Sequence, residues 1–182
     1  MKKIVAAVAA VIVLAGVAIV VLGSKGKTDG TDASTASASY KTVKACDVFT
    51  DSVAAQVLGA SYVKGTVTDP TSSDDIVFDN CIYTAGPEAN PPHSTSVAVR
   101  SAKTSNGADS NKAMFTATGR PAGAEAVSGY GDAAYWDPGL GQLDILKGNN
   151  WYIVSNYTGT SPANGTATLA MAEELAQKLK LQ

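Results

Sequence analysis

Histidine is almost absent from this 182-residue chain and cysteine is scarce: His93 stands alone, and Cys46 and Cys81 are the only thiols. A triad of nucleophile, imidazole and carboxylate needs its histidine on a rigid scaffold. His93 instead falls in Asn90-Pro91-Pro92-His93-Ser94-Thr95, a proline-punctuated stretch that reads as an exposed loop. No Gly-x-Ser-x-Gly nucleophile elbow occurs. Two cysteines and one histidine do not supply a zinc site at ordinary spacing. Charge is also low, at 16% of residues. From Lys41 onward ten Lys and Arg face fourteen Asp and Glu, a net of −4, with the acids scattered and no basic patch. That balance argues against nucleic acid and anionic lipid surfaces as partners. With no catalytic constellation and no cofactor motif, the expectation is a non-enzymatic protein that carries neither cofactor nor metal.

The longest apolar run lies at the start. After Met1-Lys2-Lys3, the nineteen residues from Ile4 to Leu22 carry no charge. As a helix they span about 28 Å, close to the ~30 Å hydrocarbon core of a bilayer. A helix satisfies its own backbone there, which outweighs the many β-branched valines. Lys2 and Lys3 ahead of the run favour the N-terminus inside and the remaining chain outside. Two readings of residues 1–23 stand. One is a retained single-pass membrane anchor. The other is a signal peptide cleaved after Val21-Leu22-Gly23, although its apolar core exceeds the usual 7–15 residues. Both place the following chain outside the cytoplasm. No cysteine near the end of the run permits lipidation there, and no early glutamate suggests a pilin-type start.

Residues 24–39, SKGKTDGTDASTASAS, hold no large apolar side chain and read as a flexible tether with a reach of about 20–25 Å. Residues 40–182 then suit one extracytoplasmic domain with a sizeable core. Two lone cysteines in an exported protein most often pair. A Cys46–Cys81 bond closes a loop of about 35 residues and contributes roughly 3–4 kcal/mol in the chain-entropy model.

Within the domain, Thr50 caps a helix over 51–58 that Gly59 ends. Residues 61–68 alternate loosely as a strand, and 76–83 and 95–100 read as two more. A helix over 109–118 follows, closed by Gly119-Arg120-Pro121. Strands are expected at 125–127 and 133–136. Residues 142–147 and 151–156 make a hairpin about the turn Gly148-Asn149-Asn150. A final helix over 163–181 puts Leu169, Ala172, Leu175, Ala176 and Leu179 on one stripe, which docks on the sheet. The order predicts an α+β fold: an antiparallel sheet of about six to seven strands with helices packed on it, in two similar halves, preceded by one transmembrane helix.

The stretches CDVFTDSVAAQVLG, DNCIYT, VSGYGDAAYW and QLDILKGNNWYIVS, with the closing amphipathic helix, resemble small bacterial cell-envelope lipoproteins of uncharacterised function, PsbP-like in fold. The resemblance covers about residues 45–180 and rests on structural motifs, so it implies no catalytic residues. It departs at the anchor, where those lipoproteins carry a lipidated cysteine.

The remaining candidates are weighed against plainer roles. Asp74, Asp75, Asp79 and Asn80 offer oxygen ligands to a hard cation, but without an EF-hand spacing they read as a solvated turn and strand edge. Gly129-Tyr130-Gly131-Asp132 lacks the third glycine of a phosphate loop and reads as a turn braced by Asp132. Asn156-Tyr-Thr158 and Asn164-Gly-Thr166 match the glycosylation sequon by chance. Aromatics concentrate in the second half. Strand alternation sends Tyr135 and Trp136 to opposite faces, and likewise Trp151 and Tyr152, so one of each pair is free to line a groove or partner surface beside Tyr130. The leading expectation is a membrane-tethered domain that binds or scaffolds an envelope protein. The alternative is a carrier or sensor of an apolar ligand in a groove between the sheet and the C-terminal helix.

Overall fold

The computed structural model describes residues 40–59, 61–65, 69–86, 89–159 and 165–182. The proposed anchor and tether and the sequon asparagine at 164 lie outside them. Among the described residues no helix is long and apolar enough to cross a membrane.

The domain is α+β. It opens with two short helices, α1 (Ala45–Val48) and α2 (Asp51–Leu58). The first sheet half follows, as β1 (Tyr62–Lys64), β2 (Thr71–Ser72), β3 (Ile76–Ala85) and β4 (His93–Ala102). Helix α3 (Ser105–Ala113) leads to the second half, β5 (Glu125–Val127), β6 (Ala133–Asp137), β7 (Gln142–Lys147), β8 (Asn150–Gly159) and β9 (Gly165–Ala167). Helix α4 (Leu169–Ala176) closes the fold. One antiparallel sheet runs β1-β3-β4-β8-β7-β6-β5, and β2 and β9 extend β3 and β8. Seven strands form the main path and two short ones bring the sheet to nine. Each half of the chain supplies a contiguous half of the sheet, and the halves join where β4 pairs with β8.

Alternation along the strands sorts the side chains. Cys81 and Tyr83 of β3, Val97 and Val99 of β4, Tyr152 and Val154 of β8, and Leu143 and Ile145 of β7 share one face. All are buried against Phe49, Ala54, Ala172 and Leu175, contributed by α2, α4 and the α1–α2 junction. This is the main core. The stripe read from the final helix is here: Ala172, Leu175, Ala176 and Leu179 are buried. The helix itself is shorter than the 163–181 expected, because residues 165–167 pair with β8 and Thr168 caps α4 by accepting from Met171 N. Past Ala176, i→i+3 bonds from Lys178 N and Leu179 N tighten the chain and still deliver Leu179 to the core.

Helix α2 follows its sequence signals, with Thr50 Oγ1 accepting from Val53 N and Gly59 at φ +84°. Helix α3 begins four residues before the expected 109. Its cap is Thr104, whose hydroxyl accepts from Gly107 N and donates to Asp75. A Cβ at Gly107 would lie 2.2 Å from Asp75 O. The glycine that looks like a helix breaker is therefore there to let the helix approach the β2–β3 turn. The β7–β8 hairpin turns on two residues, Gly148-Asn149, not three, with Gly148 at φ +58°. A positive φ at the first central position suits the strand twist.

Cys46 of α1 and Cys81 of β3 are bonded, with an S–S distance of 2.07 Å. Helix α1 is absent from the expected order. Asp79 Oδ2 accepts from Ala45 N at 2.9 Å and Ser101 Oγ accepts from Val43 N at 3.0 Å, so sheet side chains satisfy this segment's entry.

Two stability tests follow from this packing. Replacing both cysteines by alanine lowers the unfolding free energy by about 3–4 kcal/mol through the lost loop constraint, read as a drop in urea midpoint. Gly107→Ala lowers stability by about 1–3 kcal/mol although alanine is the better helix former by about 1 kcal/mol, because the backbone contact outweighs propensity. An unchanged or raised midpoint would show that α3 moves away freely.

Candidate functional site

The second face of the sheet is covered unevenly. Over β6, β7 and β8 lies a small satellite core of Phe115, Tyr135 and Leu146, with Met114 and Trp151 packed at its edge. Phe115 follows α3, and its ring meets Tyr135 at 5.1 Å and Trp151 edge-on at 6.2 Å. The two arginines of the chain stack on the same aromatics: Arg100 lies 5.8 Å over Trp151 and Arg120 lies 5.9 Å over Tyr135. Arg100 also donates to Asn111 Oδ1 and Ser110 Oγ, while Arg120 donates through Nε and NH2 to Phe115 O. Burial lowers the Arg100 pKa from its ordinary value.

Beneath these rings sits Asp144, 3% exposed. It lies directly across from Tyr135 on β6 and Ile153 on β8. Its Oδ1 accepts from Trp151 Nε1 at 2.6 Å. Burial pushes its pKa up to about 7, with Asp137 adding to the rise and the indole bond opposing it. Asp137, also buried, spends Oδ1 on Gly139 N and Leu140 N in the β6–β7 turn. Burial raises the Tyr135 phenol well above its usual range, helped by Asp144 and Asp137 and opposed by Arg120. A buried carboxyl near neutrality, held by an indole and ringed by aromatics, is the strongest chemical feature of the domain.

The five aromatics named from sequence separate into three places. Tyr135 and Trp151 join Asp144. Trp136 and Tyr152 enter the main core on the opposite face, where Tyr152 Oη donates to Gln182 O at 2.8 Å and pins the C-terminus. Tyr130 lies in the β5–β6 turn, its Oη accepting from Gln177 Nε2 at 3.2 Å. Tyr130, Lys147, Gln177, Leu179 and Leu181 border an open depression of about 320 Å3 at the rim between sheet and C-terminal helix.

Other sequence candidates resolve into structural roles. His93 is the first residue of β4 and half-buried, not an exposed loop residue. Its Nε2 lies 2.6 Å from Asn156 Oδ1. Since Asn156 Nδ2 donates to Met171 O, its Oδ1 faces the ring and Nε2–H is the donor. Asn156 is 1% exposed, which closes that sequon to a glycan. Asp79 and Asn80 point to opposite faces of β3, and Asp79 bonds to backbone amides of Ala45 and Asn80. Among the described residues no three His, Cys, Asp or Glu side chains gather as a metal site. Gly131, at φ +56°, lies so close to Leu146 O that a Cβ would stand 2.2 Å away. Asp132 braces the neighbouring hairpin by accepting from Gly148 N at 2.6 Å.

Elsewhere on the second face Asn80, Ile82, Ser96, Ile153 and Tyr157 are half-buried and Ala98 and Ser155 are buried, and none of them belongs to either hydrophobic cluster. Val63 of β1, 52% exposed, flanks the same end of the sheet. Comparison with protein-family models, with curated proteins and with solved structures finds no match.

Asp144 and its surroundings escaped the sequence reading. In QLDILK the alternation marks Asp144 as pointing away from the Leu143–Ile145 core, and a polar residue on that face reads as solvated. That the segment after α3 would cover it has no local signature.

The raised pKa has a stability consequence with a definite sign. The folded chain holds the Asp144 proton up to about pH 7, whereas the unfolded chain releases it near pH 4. The contribution is intact below about pH 4 and is lost as pH rises towards 7, by on the order of 4 kcal/mol at ~1.4 kcal/mol per unit. Asp144→Asn keeps an acceptor for the indole and removes the titration. Urea midpoints between pH 4 and 8 should therefore fall more steeply for the natural chain than for the variant, and parallel curves would place the Asp144 pKa in the ordinary range.

Proposed function

We propose that residues 40–182 form a membrane-tethered, extracytoplasmic, non-enzymatic module that binds or scaffolds an envelope protein, with the apolar run from Ile4 to Leu22 as its anchor and residues 24–39 as its tether. The observation that carries this reading is the half of the second sheet face that lies outside both hydrophobic clusters. Ile82, Ile153 and Tyr157 alternate there, half-buried, with Ser94, Ser96 and Thr84. Such a mixed surface suits a protein face or an extended chain, which supplies both apolar contact and hydrogen bonds. An acyl chain or sterol would leave the serines and threonines unpaired. Edge pairing is a lesser route, because β1 and β5 are only three residues long. The organisation of the domain as two similar halves, one on each side of the β4–β8 pair, belongs to the same proposal.

The alternative of an apolar-ligand carrier draws support from the open depression beside Tyr130, which is at the rim of the expected groove. Behind that rim the layer is filled by Tyr152, Leu143, Ile145 and Leu175, so a carried ligand would need displacement of packed side chains.

A photoreactive phenylalanine analogue at Tyr157 of the full chain, irradiated in its own membranes, is expected to give one discrete protein adduct. The same analogue at Leu140, which is 55% exposed in the β6–β7 turn, is the control. Ile82→Lys combined with Ile153→Lys should reduce the Tyr157 adduct at least tenfold with an unchanged circular dichroism spectrum. Equal adducts from both positions, or an extractable lipid-sized mass in place of protein, would overturn the docking reading.

A further inference from the structure

The segment 114–124, between α3 and β5, is joined to itself and to the end of α3 more than to the sheet. Thr116 Oγ1 donates to Ala113 O, Gly119 N and Arg120 N donate to Thr116 O, and Ala124 N donates to Pro121 O. Even the Arg120 guanidinium ends on Phe115 O. Its hold on the sheet is the Phe115 ring, set on Tyr135, Trp151 and Leu146, together with Met114 and Ala124 at the edge and the stack of Arg120 on Tyr135. These supports surround Asp144: Tyr135 is directly across from it, Leu146 is two residues along its strand, and Trp151 is hydrogen-bonded to it.

We propose that residues 114–124 are a pH-responsive cover, closed while Asp144 is protonated, which lifts when Asp144 loses its proton and bares the aromatic surface of Phe115, Tyr135 and Trp151.

The argument is one of solvation. A carboxylate needs water or a cation, and the closed arrangement supplies one indole N–H. From β6, Asp137 adds a like charge and Tyr135 a phenol held neutral by burial. From the cover, Arg120 lies over the far ring of Tyr135 and is bonded to Phe115 O. From β4, Arg100 lies over Trp151 and is bonded to α3. Neither arginine is hydrogen-bonded to Asp144. Lifting the cover lets water reach the carboxylate, and the hydrogen bonds within the segment travel with it. Gly123, at φ +86° with open space around its α-carbon, gives one end of the cover a ready pivot. The main core on the opposite face is untouched, so opening is local and not an unfolding of the domain. This device stands on side chains other than those of the proposed docking half.

The test uses the full chain in detergent micelles. Deuterium uptake is followed between pH 5 and 8 for peptides over 110–124 and over β4, corrected for the intrinsic tenfold rise in exchange per pH unit. Opening of 114–124 should increase with pH by up to tenfold per unit until Asp144 is ionised, while β4 stays constant. In Asp144→Asn that rise should vanish. The indole resonance of Trp151, identified by its loss in Trp151→Phe, should titrate near neutrality in the natural chain. Corrected uptake independent of pH in the natural chain, an equal rise in Asp144→Asn, or an indole resonance that is flat from pH 5 to 8 would each overturn the proposal. The last reading needs no altered Asp144, so it decides even if that variant folds poorly.

Discussion

The fold depends on the pairing of β4 with β8. Nine residues of each strand match across it, from His93 opposite Thr158 to Ser101 opposite Asn150. This ladder pairs residues 49 to 65 positions apart and makes one sheet of two chain segments. Its inward rows set Val97 against Val154 and Val99 against Tyr152, all without solvent exposure. Helices α2 and α4 close over that row, and the disulfide draws α1 onto the neighbouring β3. Once the central ladder is in register, period-two alternation assigns every flanking strand its inward face, and a slip of one residue would turn the whole set outward.

The consequence is a sheet with two unlike sides. One is filled by large apolar side chains beneath its helices. The other is divided between a small aromatic cluster beside a buried carboxyl and a half-buried stretch of isoleucine, tyrosine and small hydroxyl side chains. Burial drives both features. It packs large side chains into the main core, and it raises the Asp144 pKa.

Much of the fold was legible from the residues. The period of two in Thr95-Ser96-Val97-Ala98-Val99-Arg100, the cap at Thr50 with Gly59, and the 3.6-residue stripe from Leu169 to Leu179 are local patterns set by backbone geometry and apolar burial. The misplacements have equally local causes. Helix α3 starts at Ser105, ahead of the expected 109, with Gly107 set against the Asp75 carbonyl, a contact that no neighbouring residue announces. The last helix was drawn too long because residues 165–167 carry no clear sign that β8 would pair with them. His93 read as loop from its prolines, yet the strand begins there because Thr158 stands ready across the ladder.

The sequence alone determined the α+β class, the pairing of two lone cysteines, the helix caps and the alternation that splits Tyr135 from Trp136 and Trp151 from Tyr152. Each follows from neighbours within a few residues or from counting. Which member of each pair would be core, and that Asp144 would meet Trp151 under Phe115, was decided only in three dimensions. Burial of a side chain depends on what packs over it, and here the covering segments come from distant parts of the chain.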